Sequence, residues 1–370
     1  MNPAQLRHRV EACQQYLRDQ AVAAALVVSP ANMFYLTGMA LVPFERLAVV
    51  LVGAEQGVMA VLPELERDRA LEFMQPGQVL TWRDGDDPLA TVAQALRMFG
   101  VSPGARLGVE AGSITLRLAE RLRKAIPQLE FHDVDTFLVG LRARKDAEEI
   151  ARIREACRIT AAALEEVLSF VRPGVTELEV ASRLDLALAS AGATGTAFRT
   201  TVLSGVRSAS PHGLSSRKEI SRGELVLIDV GGVYGGYCAD LTRTVMVGRG
   251  NHRDLEMYEL VVKAQQRALE CARPGTPAVA VDRAARAVIE EAGYGAAFVH
   301  RTGHGLGIAV HEPPSLSGDN QQELQVGMVF TVEPGVYIPA WGGVRVEDVV
   351  VLTERGFEVL TEMNRDLITL

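Results

Sequence analysis

Four carboxylates and one imidazole in the second half of the chain, Asp229, Asp240, His304, Glu333 and Glu347, are of the types that hold divalent cations. Two of them sit in apolar surroundings. Leu225-Val226-Leu227-Ile228 precedes Asp229 and Val329-Phe330-Thr331-Val332 precedes Glu333, so each carboxylate ends a segment that reads as a buried strand. A charge is rarely kept there unless it is paired or binds a metal, because its desolvation is so costly. When some carboxylates bridge, such a set holds two divalent ions about 3.5 to 4 Å apart, the arrangement of two-metal hydrolysis. The set contains no thiolate, which argues against structural zinc, and its single imidazole favours Mn, Co, Fe or Zn over Ca. Each acid alone reads as well as a salt bridge or a helix cap; the five together, in two matching segments, point to a metal centre.

Gly231-Gly232 and Gly235-Gly236 between the two aspartates suit a hairpin that brings Asp229 and Asp240 face to face from adjacent strands. The run Gly303-His304-Gly305-Leu306-Gly307 lets backbone approach a ligand, since glycine has no Cβ. A phosphate loop is the other reading of such a run; the interposed histidine and the lack of a following Lys-Ser or Lys-Thr oppose it. His212, in the turn-like Ser210-Pro211-His212-Gly213, and His311, seven residues past His304, are read two ways. Either they donate a hydrogen bond to a developing oxyanion or they lie on the surface. His300 reads as a surface histidine, and His8, His132 and His252 have no supporting context.

The elements that must position these residues form a weak internal repeat. A helical pattern ends at Arg172-Pro173-Gly174 and another stops at Ala191-Gly192; the landmarks return at Arg273-Pro274-Gly275 and Ala292-Gly293, an offset of about 101 residues. Pro-Gly ends many helices, so coincidence is the competing account. Each unit runs on into strand-like segments, 224–229 and 237–247 in the first, 328–333 and 344–352 in the second. Two such units would pack about a pseudo-twofold axis with a site between their sheets. Upstream, short apolar runs (25–28, 47–52, 58–62, 106–109) alternate with helix-patterned stretches (89–99, 116–126), which predicts an α/β domain. The polar segment Leu141-Arg142-Ala143-Arg144-Lys145-Asp146 leads into a helical pattern over 147–170, placing a boundary between a domain of residues 1–142 and one of residues 143–370.

A length of 370 residues exceeds what one core comfortably supports, and 48% hydrophobic with 23% charged residues describes an ordinary globular chain. A net charge of -8 and the absence of a basic stripe exclude a nucleic-acid partner. Residues 1–17 are polar and helix-patterned, and the apolar stretch 21–28 is too short to span a bilayer and ends at Ser29-Pro30, which predicts a cytoplasmic protein with no membrane partner. Cys13, Cys157, Cys238 and Cys271 lie far apart and read as free thiols of a reducing compartment.

In order, Pro211-His212-Gly213, Asp229 with Asp240-Leu241-Thr242-Arg243-Thr244, Gly303 to Gly307 through His311-Glu312, Val332-Glu333-Pro334-Gly335 and Gly343-Val344-Arg345-Val346-Glu347-Asp348 resemble the pita-bread metallopeptidases. This is the family of methionine aminopeptidase, aminopeptidase P and prolidase, and the resemblance covers roughly residues 146–360. It implies an α+β chain: an N-terminal α/β creatinase-like domain followed by a C-terminal pita-bread domain with a pseudo-twofold repeat. It implies further that Asp229 chelates one ion, Asp240 and Glu347 bridge two, and His304 with Glu333 completes the ligands of the second ion. Glu333 would take the proton of the metal-bridging water, His212 and His311 would stabilise the tetrahedral intermediate or leaving amine, and Arg345 would orient a ligand carboxylate. Ala309 stands where the family often carries an acid. The preceding α/β domain, with its Asn32-Met33-Phe34-Tyr35-Leu36-Thr37-Gly38 segment, resembles that of aminopeptidase P, prolidase and creatinase, in which it commonly supports dimerisation. The implied function is an Xaa-Pro dipeptidase or aminopeptidase acting on short proline-containing peptides, as a homodimer with two divalent ions per chain, manganese first. The alternatives are an ectoine-type amide hydrolase or lyase on the same fold, and a non-catalytic binding protein.

Overall fold

The computed structural model describes residues 2–41 and 45–370; Met1, which opens the polar N-terminal segment, lies outside the described residues. The chain divides into two compact units, Met1–Arg142 and Ala143–Leu370.

In the first unit, strands β1 (Ala24–Val27), β2 (Val49–Gly53), β3 (Gly57–Pro63), β4 (Val79–Trp82), β5 (Arg106–Val109) and β6 (Glu130–Asp133) form one sheet in the order β4-β3-β2-β1-β5-β6. Only β2 runs against its neighbours; β3 and β4, β1 and β5, and β5 and β6 pair in parallel. Parallel neighbours need crossovers, which the helices Pro88–Met98 and Leu116–Ala125 help to supply. Their starts are fixed by side-chain caps, Asp87 accepting from the Leu89 amide and Thr115 from that of Leu118. Leu89, Val92, Leu96, Leu118 and Leu122 of these helices pack on Leu26, Leu51, Val61 and Leu107 of the sheet. Asn32 to Thr37 lie in the helix Pro30–Thr37, and Gly38, at φ 79°, ends it. Buried Glu110 holds its N-terminus, accepting from the Ser29 amide at 2.8 Å and from Asn32 Nδ2 at 2.5 Å.

The second unit repeats one motif. Helices Ala147–Leu168 and Glu177–Ser190 are matched by His252–Cys271 and Ala278–Glu291, and Gly174, Gly192, Gly275 and Gly293 all take left-handed φ values of 84 to 104°. That shared backbone favours a true repeat over chance. The first pair is followed by β7 (Gly195–Thr196), β8 (Thr201–Ser204), β9 (Glu224–Val230), β10 (Gly232–Tyr234), β11 (Tyr237–Cys238) and β12 (Leu241–Val247). The second is followed by β13 (Gly303–Gly305), β14 (Glu312–Leu316), β15 (Val329–Val332), β16 (Gly335–Ile338), β17 (Gly342–Arg345), β18 (Asp348–Thr353) and β19 (Gly356–Val359). Sheets run β12-β9-β8 in the first half, and β14-β13-β15-β18-β19 with the ribbon β16-β17 in the second.

Strand alternation sorts the side chains. Val226, Ile228, Val230, Leu241 and Val245 pack under the first helix pair, with Leu164, Val180 and Leu184. Phe330, Val332, Val344, Val346 and Val350 pack under the second, with Val261, Ala264, Val281 and Ala285. Because successive residues of a strand point to opposite faces, Asp229, Thr242, Thr331, Arg345 and Glu347 are turned away from these two cores.

Candidate active site

Two half-sheets meet where that polar face lies. Thr244 Oγ1 donates to the Arg345 carbonyl at 3.0 Å and accepts from its amide at 3.1 Å, and the Glu347 amide donates to the Thr242 carbonyl at 3.1 Å. β12 is thereby stitched to the end of β17 and the residues just after it, one strand from each half of the repeat. Asp229 is paired across the ladder with Thr242, whereas Asp240 lies just before β12. The expected facing of the two aspartates is therefore offset by two residues, because β10 and β11 form a hairpin of their own inside the connection.

The glycines around His304 answer a different need from the one expected. A Cβ on Gly303 would lie 2.0 Å from the Thr331 carbonyl oxygen, and one on Gly305 would lie 2.1 Å from that of Pro313. They admit neighbouring backbone on both sides of β13 rather than a ligand. His304 is thus held in the middle of a sheet, its amide donating to Thr331 Oγ1 at 3.0 Å. Its Nδ1–H donates to the Gly305 carbonyl at 3.1 Å, which turns Nε2 toward Glu333 Oε1 at 3.2 Å and Asp240 Oδ2 at 3.7 Å.

All eight residues singled out in the sequence, Asp229, Asp240, His304, Glu333, Glu347, Arg345, His212 and His311, line one cavity of about 570 Å³. Asp240, His304 and Glu347 are buried and each offers one ligand atom within 4.8 Å of the others. Arg345 is the hub of the floor: Nη2 pairs with Asp229 Oδ2, Nε donates to Thr242 Oγ1 at 3.0 Å and Nη1 to the Tyr337 hydroxyl at 2.9 Å. Thr242 Oγ1 in turn donates to Glu347 Oε2 at 2.6 Å. His212 and His311 stand more exposed, with the His311 ring edge-on to His304 at 4.2 Å.

Crowding of buried carboxylates sets the electrostatics. Burial, reinforced by Glu347, Asp229 and Glu333, pushes Asp240 well above the usual carboxylate range, and burial with Glu333 and Asp229 does the same to Glu347. Asp229 is also raised by burial, against the pull of Arg345. Burial works on Glu333 in the same direction, but the hydrogen bond and charge of His304, with Arg345 and His300, outweigh it and bring that carboxyl to about 2. Partial desolvation, with repulsion from His304 and Arg301, lowers His311 to about 4.

The donor set fits divalent cations. Asp229 Oδ1 and Glu347 Oε1 are buried with no hydrogen-bond partner, and both belong to the cavity's carboxylates. The ion pairs of Asp229, Asp240 and Glu333 run to Arg345 and His304, and the crowding of these three acids with Glu347 is an imbalance that a cation relieves.

Several members of the site went unread in the sequence. His300, taken as a surface residue, lines the cavity: its Nδ1–H donates to the Arg301 carbonyl at 2.7 Å and its Nε2 accepts from Tyr337 Oη at 2.9 Å. Tyr337 is fully buried behind Arg345, and Phe198, Arg199, Leu214, Arg301 and Val310 complete the walls. His300 precedes His304 by four residues, a spacing that could have drawn attention to it.

Comparison with known proteins gives the arrangement a lineage. The family model described as Creatinase/Prolidase N-terminal domain matches residues 9–144. The Xaa-Pro dipeptidase of Pyrococcus furiosus is 36% identical over 98% of this chain and 100% of its own length. The crystal structure of a recombinant prolidase from Thermococcus sibiricus superposes with a TM-score of 0.94 at 34% identity, covering 100% of each chain. That of an X-Pro aminopeptidase from Thermotoga maritima gives 0.85 at 32% identity over 95% of this chain and 99% of that one. With its second unit matched over residues 151–354 by the model of Metallopeptidase family M24, the very stretch that carries the paired helices and the carboxylate cavity, the chain belongs to that family.

Proposed function

We propose that the protein is an exopeptidase that hydrolyses the bond before proline in short peptides. Two divalent ions, manganese foremost among Mn, Co, Fe and Zn, would be held by Asp229, Asp240, His304, Glu333 and Glu347, with Asp240 and Glu347 serving both. The observation that carries this reading is the convergence of all five with Arg345 on one cavity, in a chain similar over its whole length to an Xaa-Pro dipeptidase. Bound there, such ions would supply a Lewis acid for the scissile carbonyl and a water nucleophile available at neutral pH.

The rest falls to side chains. Glu333, ionised at neutral pH, accepts the proton of the attacking water and passes it toward the leaving amine. His311, neutral at that pH, donates an N–H to the developing oxyanion, with His212 on another part of the wall. Arg345 fixes the rotamer of Asp229 and, through Thr242, that of Glu347. Phe198, Pro211, Leu214 and Val310 give the cavity an apolar wall suited to a pyrrolidine ring. Such a wall matters because proline's tertiary amide has no N–H and a fixed φ, so backbone pairing cannot hold it. A cytoplasmic homodimer, with residues 1–142 as the domain that supports dimerisation, belongs to the same reading.

The test is a comparison of kcat/KM for Xaa-Pro dipeptides, Xaa-Pro-Yaa tripeptides and matched Xaa-Ala peptides with manganese added. Proline substrates are expected to be turned over far faster, and the dipeptide-to-tripeptide ratio separates a dipeptidase from an aminopeptidase. Equal rates on the proline and alanine series would overturn the reading in favour of an amide hydrolase acting on another small molecule.

A further inference from the structure

Lys145 and Glu312 form an ion pair, Nζ to Oε2 at 3.2 Å, with both side chains 1% exposed. Neither lines the cavity. Removing two charges from water is costly, and a well-packed apolar pair serves stability as well or better. Its surroundings explain its presence. Glu312 follows His311, and its other oxygen, Oε1, accepts from the Ala309 amide at 2.9 Å, closing the tight loop that ends in His311. The same loop is tied from the far side: the Cys238 amide donates to the Gly307 carbonyl at 2.7 Å, and the Gly307 amide to the Ala309 carbonyl at 3.0 Å. A Cβ on Gly307 would lie 2.9 Å from both Glu312 Oε2 and Lys145 Cε. The third glycine of the Gly-His-Gly-Leu-Gly run therefore makes room for the ion pair. Lys145 is itself anchored, its amide donating to the Gly327 carbonyl at 2.8 Å. It sits one residue before Asp146, whose carboxylate caps the helix Ala147–Leu168.

We propose that the buried Lys145–Glu312 pair is a positioning device that fixes residues 306–311, and so sets the place of the His311 ring against His304. The inference rests on the role given to His311 above. Lysine fixes and neutralises the glutamate; the glutamate holds Ala309; the closed loop leaves His311 one orientation, edge-on to the proposed ligand His304.

Two double substitutions separate this from a merely structural role, since neither leaves a buried unpaired charge. Lys145→Gln with Glu312→Gln keeps an oxygen for the Ala309 amide, and Lys145→Met with Glu312→Met does not. The methionine pair is expected to lose roughly 30- to 300-fold in kcat, near the range for a lost oxyanion donor, with KM and metal content little changed. The glutamine pair should keep more than about a tenth of kcat, since the bond to Ala309 survives. Adding His311→Ala to the methionine pair should cost little more, because the histidine is already out of place. Gly307→Ala, which crowds the pair without removing it, should lower kcat in the same way and serves if the methionine pair does not fold. Wild-type kcat in the methionine pair or in Gly307→Ala, or losses that multiply with that of His311→Ala, would overturn the proposal. Wild-type kcat in His311→Ala alone would overturn the histidine's role and the proposal with it, a result distinct from the other two.

Discussion

Replacing Glu333 by glutamine separates proton transfer from metal holding, because the structure shows what the substitution keeps. Thr331 Oγ1 donates to Glu333 Oε1 at 3.1 Å, and a glutamine oxygen in the same place still accepts it. Arg345 Nε stands 4.0 Å from Oε2, too far for a hydrogen bond that an amide nitrogen would forfeit. Glutamine therefore fits, retains one oxygen for the proposed ligand role and loses only the charge and the proposed base. The charge has a measurable value in the metal-free protein: a carboxyl held at about 2 rather than 4.5 is favoured in its ionised form, by on the order of 3 kcal/mol at 1.36 kcal/mol per unit. Since the folded value is the lower one, that stability is present above the ordinary carboxylate pKa and is lost as pH falls toward 2. The metal-free variant should melt lower than the parent at pH 7, and the gap should close in acid. With metals present, loss of the base should lower kcat about 100- to 10,000-fold. Metal content by mass spectrometry and kcat on the same preparation make the comparison, at a temperature where circular dichroism shows both proteins folded. Near wild-type kcat with both metals bound would mean that the proton goes elsewhere.

Asp240→Asn and Glu347→Gln, each removing a carboxylate proposed to serve both ions, should weaken both metal sites together; equilibrium dialysis that still finds two tightly bound ions in either variant refutes the shared roles. Metal uptake should also strengthen with pH from the acid side through neutrality. Burial and mutual repulsion hold Asp240 and Glu347 well above the usual carboxylate range, so entering ions must displace protons. Manganese affinity flat between pH 5 and pH 8 (by calorimetry) would refute that linkage.

Much of the site was legible because strand alternation and residue type act together. A carboxylate closing Leu225 to Ile228, and another closing Val329 to Val332, is rarely kept there without a partner, so both stand out as site candidates from the sequence. The repeat of Arg-Pro-Gly and Ala-Gly landmarks was readable because left-handed backbone after a helix selects glycine. Partnership across the fold was not readable. Lys145 looked like part of a polar linker, yet it is buried because Glu312, 167 positions away, receives it. His300 reads as a surface residue because nothing in its neighbourhood in sequence announces Tyr337, which donates to it from β16. The glycines flanking His304 were assigned to a ligand for the same reason, since the crowding carbonyls belong to Thr331 and Pro313.

The same distinction explains why so much charge is tolerated in the floor of the cavity. Asp240 and Glu347 are both disfavoured as anions, and both are relieved in part by the charge of Arg345, to which the Thr242 hydroxyl adds for Glu347. Arg345 opposes the rise of Asp229, Asp240 and Glu347 and helps lower Glu333, so one guanidinium, oriented by Tyr337 and Thr242, conditions all four acids. Four carboxylates crowded together favour a cation of higher charge over a monovalent one. Folding and metal binding are coupled on this account: the two helix-backed sheets supply the apolar burial that holds the acids together, and the bound cations remove the repulsion that the assembly creates.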